Sequence, residues 1–323
     1  MKVFRPWAFQ GSIRYRRYFE GWYFKHVSGD RRQVWSFIPG ISLSGKDRYA
    51  FIQVLNGITG EVWIFESAIS SFHASRKELD IQVDQSKFNS RGLNLGMENG
   101  QAHIEGKISY SRMERYPSSL FRPGIMGWYS FVPFMECKHG IFSMRHSLSG
   151  GFELNGQYID LNLGTGYIEK DWGQSFPESW IWLHCNTFES SGASFSFSVA
   201  KIPWLGSFFI GFISYLNLES GFFNFSTWSK ARIVKLEYHQ MHLYILLENR
   251  EYQLEIHARN SRTGKLKAPV HGSMKRIIKE TVDASMEIIL KNRAGKVLFR
   301  DRGDRAGMEL VDPILDYFKG SEM

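Results

Sequence analysis

The stretch Gly164–Pro177 carries two carboxylates, Glu169 and Asp171, with Lys170 between them and Trp172 beside them. Run as a strand, it sends successive side chains to opposite faces. Tyr167, Glu169 and Asp171 then share one face, and Ile168, Lys170 and Trp172 the other. Carboxylates two residues apart on one face lie roughly 7 Å from each other. On a shielded face both cannot ionise cheaply, so one pKa rises and a carboxylic acid becomes available near neutral pH. Such a group can protonate a greasy substrate. The competing reading is a strand edge with solvated acids.

Two further stretches belong beside this one. In Phe19–His26, alternation places Glu20, Trp22, Phe24 and His26 on one face and Tyr23 and Lys25 on the other. In Trp180–Asn186, Trp180, Trp182, His184 and Asn186 share a face opposite the apolar Ile181, Leu183 and Cys185. Large and polar groups on one face suit a cavity wall. A histidine in such a place is more often a hydrogen-bonded core residue than a catalyst.

The elements that must position these groups read as short strands. Turn signals such as Ser28-Gly29-Asp30, Pro39-Gly40, Ser44-Gly45 and Asn56-Gly57 separate alternating runs. The expected fold class is all-β, two barrel-like antiparallel domains in tandem, over 1–150 and 151–323. Residues 67–100 read as more polar, with a helical turn near 75–78. Residues 111–136 break the rhythm with Pro117, Pro123 and Pro133 and read as a long connection, a kind that often carries function.

The chain has 323 residues, enough for a sizeable core, and its high aromatic share (15%) favours strands. The net charge is +8, with no arginine-rich run or nucleic-acid motif, so an anionic membrane surface is a better expected partner than nucleic acid. Cys137 and Cys185 form neither a disulfide framework nor a metal spacing. A reducing, cytoplasmic setting follows. The start Met1–Trp7 lacks the apolar core of a signal peptide, and the apolar run 202–218 is too interrupted to span a bilayer. Peripheral membrane contact is expected through the apolar 203–213 region and the basic 262–276 loop, although Phe208, Phe209 and Phe212 can equally be core. Phosphate-loop, dinucleotide, zinc-protease and nucleophile-elbow motifs are missing from the sequence.

Arg17–Lys25, Tyr167–Gly173 with Phe176-Pro177, and Trp180–Asn186, in that order, together resemble the tocopherol cyclase family. Gly127-Trp128, Phe131, Pro133 and Leu266–Pro269 resemble family positions too, so the likeness runs over nearly the whole chain. More remotely, the family resembles carotenoid hydratases and lipocalin-like proteins. The resemblance implies closure of a prenylated hydroquinone to a chromanol without redox change. A proton adds to the prenyl alkene and the neighbouring phenol oxygen captures the cation. It implies neither metal nor organic cofactor. The residues suit such chemistry: a burial-raised carboxylic acid as proton donor, and Trp or Tyr faces for the cation. Family members can carry an amide at the Asp171 position. Glu169 is therefore the favoured acid, Asp171 its tuner, Glu20 the reserve acid, and His184 or a second carboxylate the acceptor for the phenol proton. Substrate contacts are expected from Trp22, Tyr23, Tyr167, Trp172, Trp180, Trp182 and Asn186, with Trp180, Trp182 and His184 lining the cavity of Glu169. The alternatives are a carrier of an apolar isoprenoid, which needs no acid, and a hydratase, which adds water to the same cation.

Overall fold

A computed structural model describes residues 2–133, 135–190, 192–204, 206–311 and 314–318. The chain is all-β apart from short 3-10 turns and builds two antiparallel sheets, barrel-like but not closed among the described residues. The expected fold class is therefore observed. Contacts divide the chain into one unit of Met1–Phe176 with Gly264–Ile278, and a second of Pro177–Thr263 with Lys279–Met323. The break expected near residue 150 falls within the continuous strand Cys137–Leu154. Gly150 there has φ 95° and Gly151 pairs with Asp160, so the glycine pair bends a strand and does not end a domain.

In the first unit the central strand is Thr165–Gly173, inserted between Arg17–Val27 and Cys137–Leu154. Val34–Ser44, Asp47–Asn56 and Val62–Ala68 continue the sheet on one side. His103–Arg115 and the short strands back to Phe72–Ala74 continue it on the other. Residues 67–100, read from sequence as polar with a helical turn, are mostly these short strands. Their alternating Ile81, Val83, Phe88, Leu93 and Leu95 are buried, and the polar partners between them hid the pattern. In the second unit the order runs from Gly221–Asn224 through Ser194–Trp204, Trp180–Cys185 and Val297–Val311 to Arg232–His239.

Each sheet puts one face into an apolar core. Trp22, Phe24, Phe37 and Ile168 contribute to the first; Ile181, Leu183, Cys185 and Phe197 to the second. The expected alternation thus holds over Trp180–Cys185, where the strand ends before Asn186. The stretch 262–276, read as a basic loop, is largely a hairpin of the first unit, with Leu266 and Ala268 buried. Gln53 fixes it by donating its amide to the Lys267 carbonyl (2.9 Å) and accepting from the Lys267 N–H (2.8 Å).

The first core also encloses a polar row. His26, Gly166 and His146 lie opposite one another across three strands. A Cβ on Gly166 would fall 2.2 Å from Nε2 of His146, so only glycine lets that imidazole lie against the backbone. His26 Nε2 sits 2.6 Å from the Tyr110 hydroxyl, and His146 Nδ1 2.9 Å from the Ser143 hydroxyl. Burial lowers His26 from its ordinary value to about 3 and puts His146 well below 6.5. In the unfolded chain both protonate near 6.5. Below that pH the unfolded state therefore binds more protons, and stability is lost as pH falls from 6.5 toward 3. His26 alone accounts for a loss on the order of 4 kcal/mol across that window. Denaturant unfolding at pH 7, 5 and 4 should show the slope, and His26→Gln should flatten it; an unchanged slope would assign the acid sensitivity elsewhere.

Candidate active site

Glu20 and Glu169 both lie on paired strands of the first unit, and alternation sends them to opposite faces. Glu20 pairs in register with Trp172, and Tyr23 with Glu169. Glu20 therefore shares the core face with Trp22, Lys170 and Trp172. Tyr23, Lys25, Tyr167, Glu169 and Asp171 share the other.

Glu20 is wholly buried and fully occupied. Its carboxylate accepts from the backbone N–H of Gln10 (2.9 Å) and Gly11 (3.0 Å), from the Tyr18 hydroxyl (2.5 Å) and from Lys170 Nζ (2.5 Å). Lys170 Nζ also donates to the carbonyls of Pro6 (2.8 Å) and Ala8 (2.6 Å), which uses all its donors. The ammonium sits over the rings of Trp22 (4.8 Å) and Trp172 (4.6 Å). Burial pulls it down to about 8, against the attraction of Glu20. Burial and the Glu20 charge push the Tyr18 hydroxyl far above its usual value.

The reserve acid of the sequence reading is thus a strut, because every lone pair facing a donor is taken. Trp22, expected at the substrate, is core: it is fully buried and donates Nε1–H to the Trp7 carbonyl (2.8 Å). Trp172 faces the same way and packs on that core. Lys170→Met would strand a buried carboxylate and should cost about 3–5 kcal/mol in urea unfolding. Adding Glu20→Gln should recover part of that loss; no recovery would mean that the pair does not act as a unit.

The opposite face gathers different groups. His139, which the sequence reading missed, lies opposite Asp171, and Ile141 opposite Glu169. His139 Nδ1 is 3.0 Å from Asp171 Oδ1, and Nε2 is 3.6 Å from Glu169 Oε2. The Tyr167 hydroxyl donates to Glu169 Oε2 (2.6 Å). Burial disfavours a charged imidazole, but the carboxylates of Asp171 and Glu169 outweigh it and raise His139 to about 9. At neutral pH the imidazolium therefore bridges two carboxylates. Burial and Asp171 together push the neighbouring Cys137 thiol well up, which makes it unreactive. The side chains of His139 and Asp171 remain 13% and 24% accessible, so the cluster opens outward where Glu20 does not. Tyr23 flanks it and accepts a hydrogen bond from Ser36 (3.0 Å).

His139 follows closely on the stretch 111–136 that reads as a connection, where no alternation marks it. The strand begins at Cys137, and alternation from there puts Cys137, His139 and Ile141 on the face of Asp171 and Glu169. One ligand atom each from His139, Glu169 and Asp171 lies within 4.8 Å of the others, a spacing a divalent cation could use. Such an ion would compete with the imidazole proton.

Trp180, Trp182, His184 and Asn186 belong to the second unit. There the Trp180 Nε1–H donates to Glu309 Oε2 (2.6 Å). Trp182 pairs with Glu309 and Glu309 with Glu280, a row of carboxylates that distance in sequence concealed. The Trp182 and His184 rings lie near parallel, 6.3 Å apart. His184 and Asn186 are buried.

A family model described as tocopherol cyclase-like matches residues 101–311. The chain is 24% identical over 317 residues to the chloroplastic tocopherol cyclase of Zea mays, covering 81% of this chain and 66% of that one. It is 26% identical over 229 residues to a probable chloroplastic tocopherol cyclase of Oryza sativa subsp. japonica, covering 55% and 48%. It thus spans less than two thirds of the length of these relatives. Among solved structures, CghA shares the fold with TM-score 0.58 at 9% identity, over 92% of this chain and 90% of that one. A putative AttH from Nitrosomonas europaea does so with TM-score 0.51 at 12% identity, over 93% and 94%.

Proposed function

The chain belongs to the tocopherol cyclase-like family, and from that premise we propose that it is a cofactor-independent enzyme that closes a prenylated hydroquinone to a chromanol. One observation carries this reading: His139, Glu169 and Asp171 converge in a cluster that is partly accessible through His139 and Asp171 and holds a proton at neutral pH. Glu169 delivers a proton to the less substituted carbon of the prenyl double bond. The tertiary cation that results is captured by the adjacent phenol oxygen. The phenol proton returns to the cluster, so atoms and charge balance and nothing is oxidised. His139 acts as the proton store beside Glu169, and Asp171 holds the imidazole and its charge. Tyr23 and Tyr167 offer ring faces beside the developing cation.

Glu169→Gln keeps the size of the side chain and a hydrogen-bonding group but cannot donate a proton to carbon. With a panel of prenylated hydroquinones, it should lose about 100- to 10,000-fold in turnover while ligand binding is nearly unchanged. Asp171→Asn removes the first of the carboxylates that raise His139, so the imidazole should lose its proton at lower pH and the alkaline limb of the rate profile should move down from about 9. The product should be an isomer of unchanged mass. A gain of one water would make the enzyme a hydratase. Binding without turnover across the panel would make it a carrier. Wild-type turnover in Glu169→Gln would remove that carboxylate as the donor.

We also propose that the protein meets its substrate at a lipid surface, chiefly through a turn outside the 203–213 region. Phe212 is core, Phe208 lies against the Tyr317 ring and stays 45% exposed, and Leu205 falls outside the described residues. Leu120 and Phe121, 74% and 83% exposed, instead occupy the centre of a tight turn closed by reciprocal backbone hydrogen bonds of Ser119 and Arg122. Turns usually carry Gly, Asn or Asp at such positions. An apolar tip beside an arginine suits an anionic bilayer. Flotation with anionic liposomes should retain the protein, and Leu120→Ser with Phe121→Ser should release it. Wild-type protein left wholly in the soluble fraction would remove this proposal.

A further inference from the structure

The second unit holds an open cavity of about 650 Å³ on the strands Arg232–His239, His242–Glu248 and Tyr252–Arg259, reaching the neighbouring strands at Ser285 and Arg302. That volume is in the range of small-molecule sites. Register defines its walls. His239, His242 and Arg259 stand opposite one another in one row, and Tyr244 and His257 stand opposite each other two residues along, on the same face. The buried Leu243, Ala258 and Met286 form an apolar floor.

Charge within this cavity is unevenly satisfied. The carboxylates that reach it are already paired: Glu237 with Lys235 (3.0 Å), and Glu287 with Arg300 (3.1 Å) and Arg302 (3.3 Å). The Arg259 guanidinium has no carboxylate partner among the described residues, and its row neighbours are His242, with His239 beyond it, and Ser285. Beside this cationic end, the Tyr244 and His257 rings lie 4.9 Å apart, tilted at 45°. The cavity therefore offers a fork of donors for an anionic group and flat faces for a ring. We propose that the second unit carries a binding site for a small aromatic anion, its carboxylate or phosphate on Arg259 with His239 and His242, and its ring against Tyr244 and His257. A neutral prenylated quinol has no group that calls for Arg259, so this site is distinct from the acid–base cluster of the first unit and does not depend on its chemistry.

Calorimetric titration of the full chain with benzoate, phenyl phosphate, inorganic phosphate and benzyl alcohol tests the assignment. Benzoate or phenyl phosphate should bind saturably at one site per chain. Inorganic phosphate, which lacks the ring, and benzyl alcohol, which lacks the charge, should each bind at least about tenfold more weakly. Arg259→Gln should weaken the aromatic anion by about tenfold or more, and Tyr244→Leu should weaken it while leaving inorganic phosphate unaffected. Arg259 is exposed, so its variant should keep the wild-type unfolding midpoint and remain interpretable. The proposal is overturned if no probe saturates, if Arg259→Gln binds as the wild type does, or if inorganic phosphate binds as tightly as phenyl phosphate.

Discussion

The buried pair of Lys170 and Glu20 is the constraint on which the first unit depends. An ammonium and a carboxylate taken out of water are expensive unless every donor and acceptor is met. Here they are met by the N-terminal segment, whose Pro6 and Ala8 carbonyls and Gln10 and Gly11 N–H groups close the pair. The segment can therefore dock in one way only. The ammonium also lies over the rings of Trp22 and Trp172, whose faces attract the cation. A one-residue slip between Arg17–Val27 and Thr165–Gly173 would leave both charges buried without partners, so the pair fixes register as well as the strap.

Register in turn separates two kinds of acid. Glu20 and Glu169 are both buried, and burial alone does not distinguish them. Their partners do. Glu20 is surrounded by donors with no group left to exchange a proton with the outside. Glu169 touches Tyr167 and lies near an imidazole held between carboxylates, in a cluster that remains accessible through His139 and Asp171.

Much of this was legible in the chain. The alternation of Phe19–His26, Tyr167–Trp172 and Trp180–Cys185 assigned faces that the sheets reproduce, because a half-buried strand has a period of two and nothing else to obey. The all-β class followed from short runs and turn residues. What alternation could not supply was the identity of the neighbour on the next strand. Glu20 reads as a free acid until Lys170, 150 residues on, is seen beside it. His139 sits next to Asp171 only because Thr165–Gly173 is inserted between Arg17–Val27 and Cys137–Leu154. The pairing of Glu280 with Glu309 is hidden for the same reason. Domain division failed to show at Gly150-Gly151 because glycine marks a bend inside a long strand as readily as a break between domains.

The order Glu169-Lys170-Asp171 then has a physical meaning that composition does not carry. Consecutive residues of a strand face opposite ways, so the lysine between two acids cannot neutralise either of them across the sheet. It points into the core and is consumed by Glu20. The acids point to the opposite face, where the His139 imidazole lies between them. A lysine in place of that imidazole would keep its proton, since its ordinary pKa lies far above neutrality. An imidazole instead leaves a proton that can move, since its ordinary pKa is close to neutrality and only the two acids raise it to about 9. One strand thus builds a rigid support on one face and a proton-bearing cluster on the other. The support is what keeps the cluster in register.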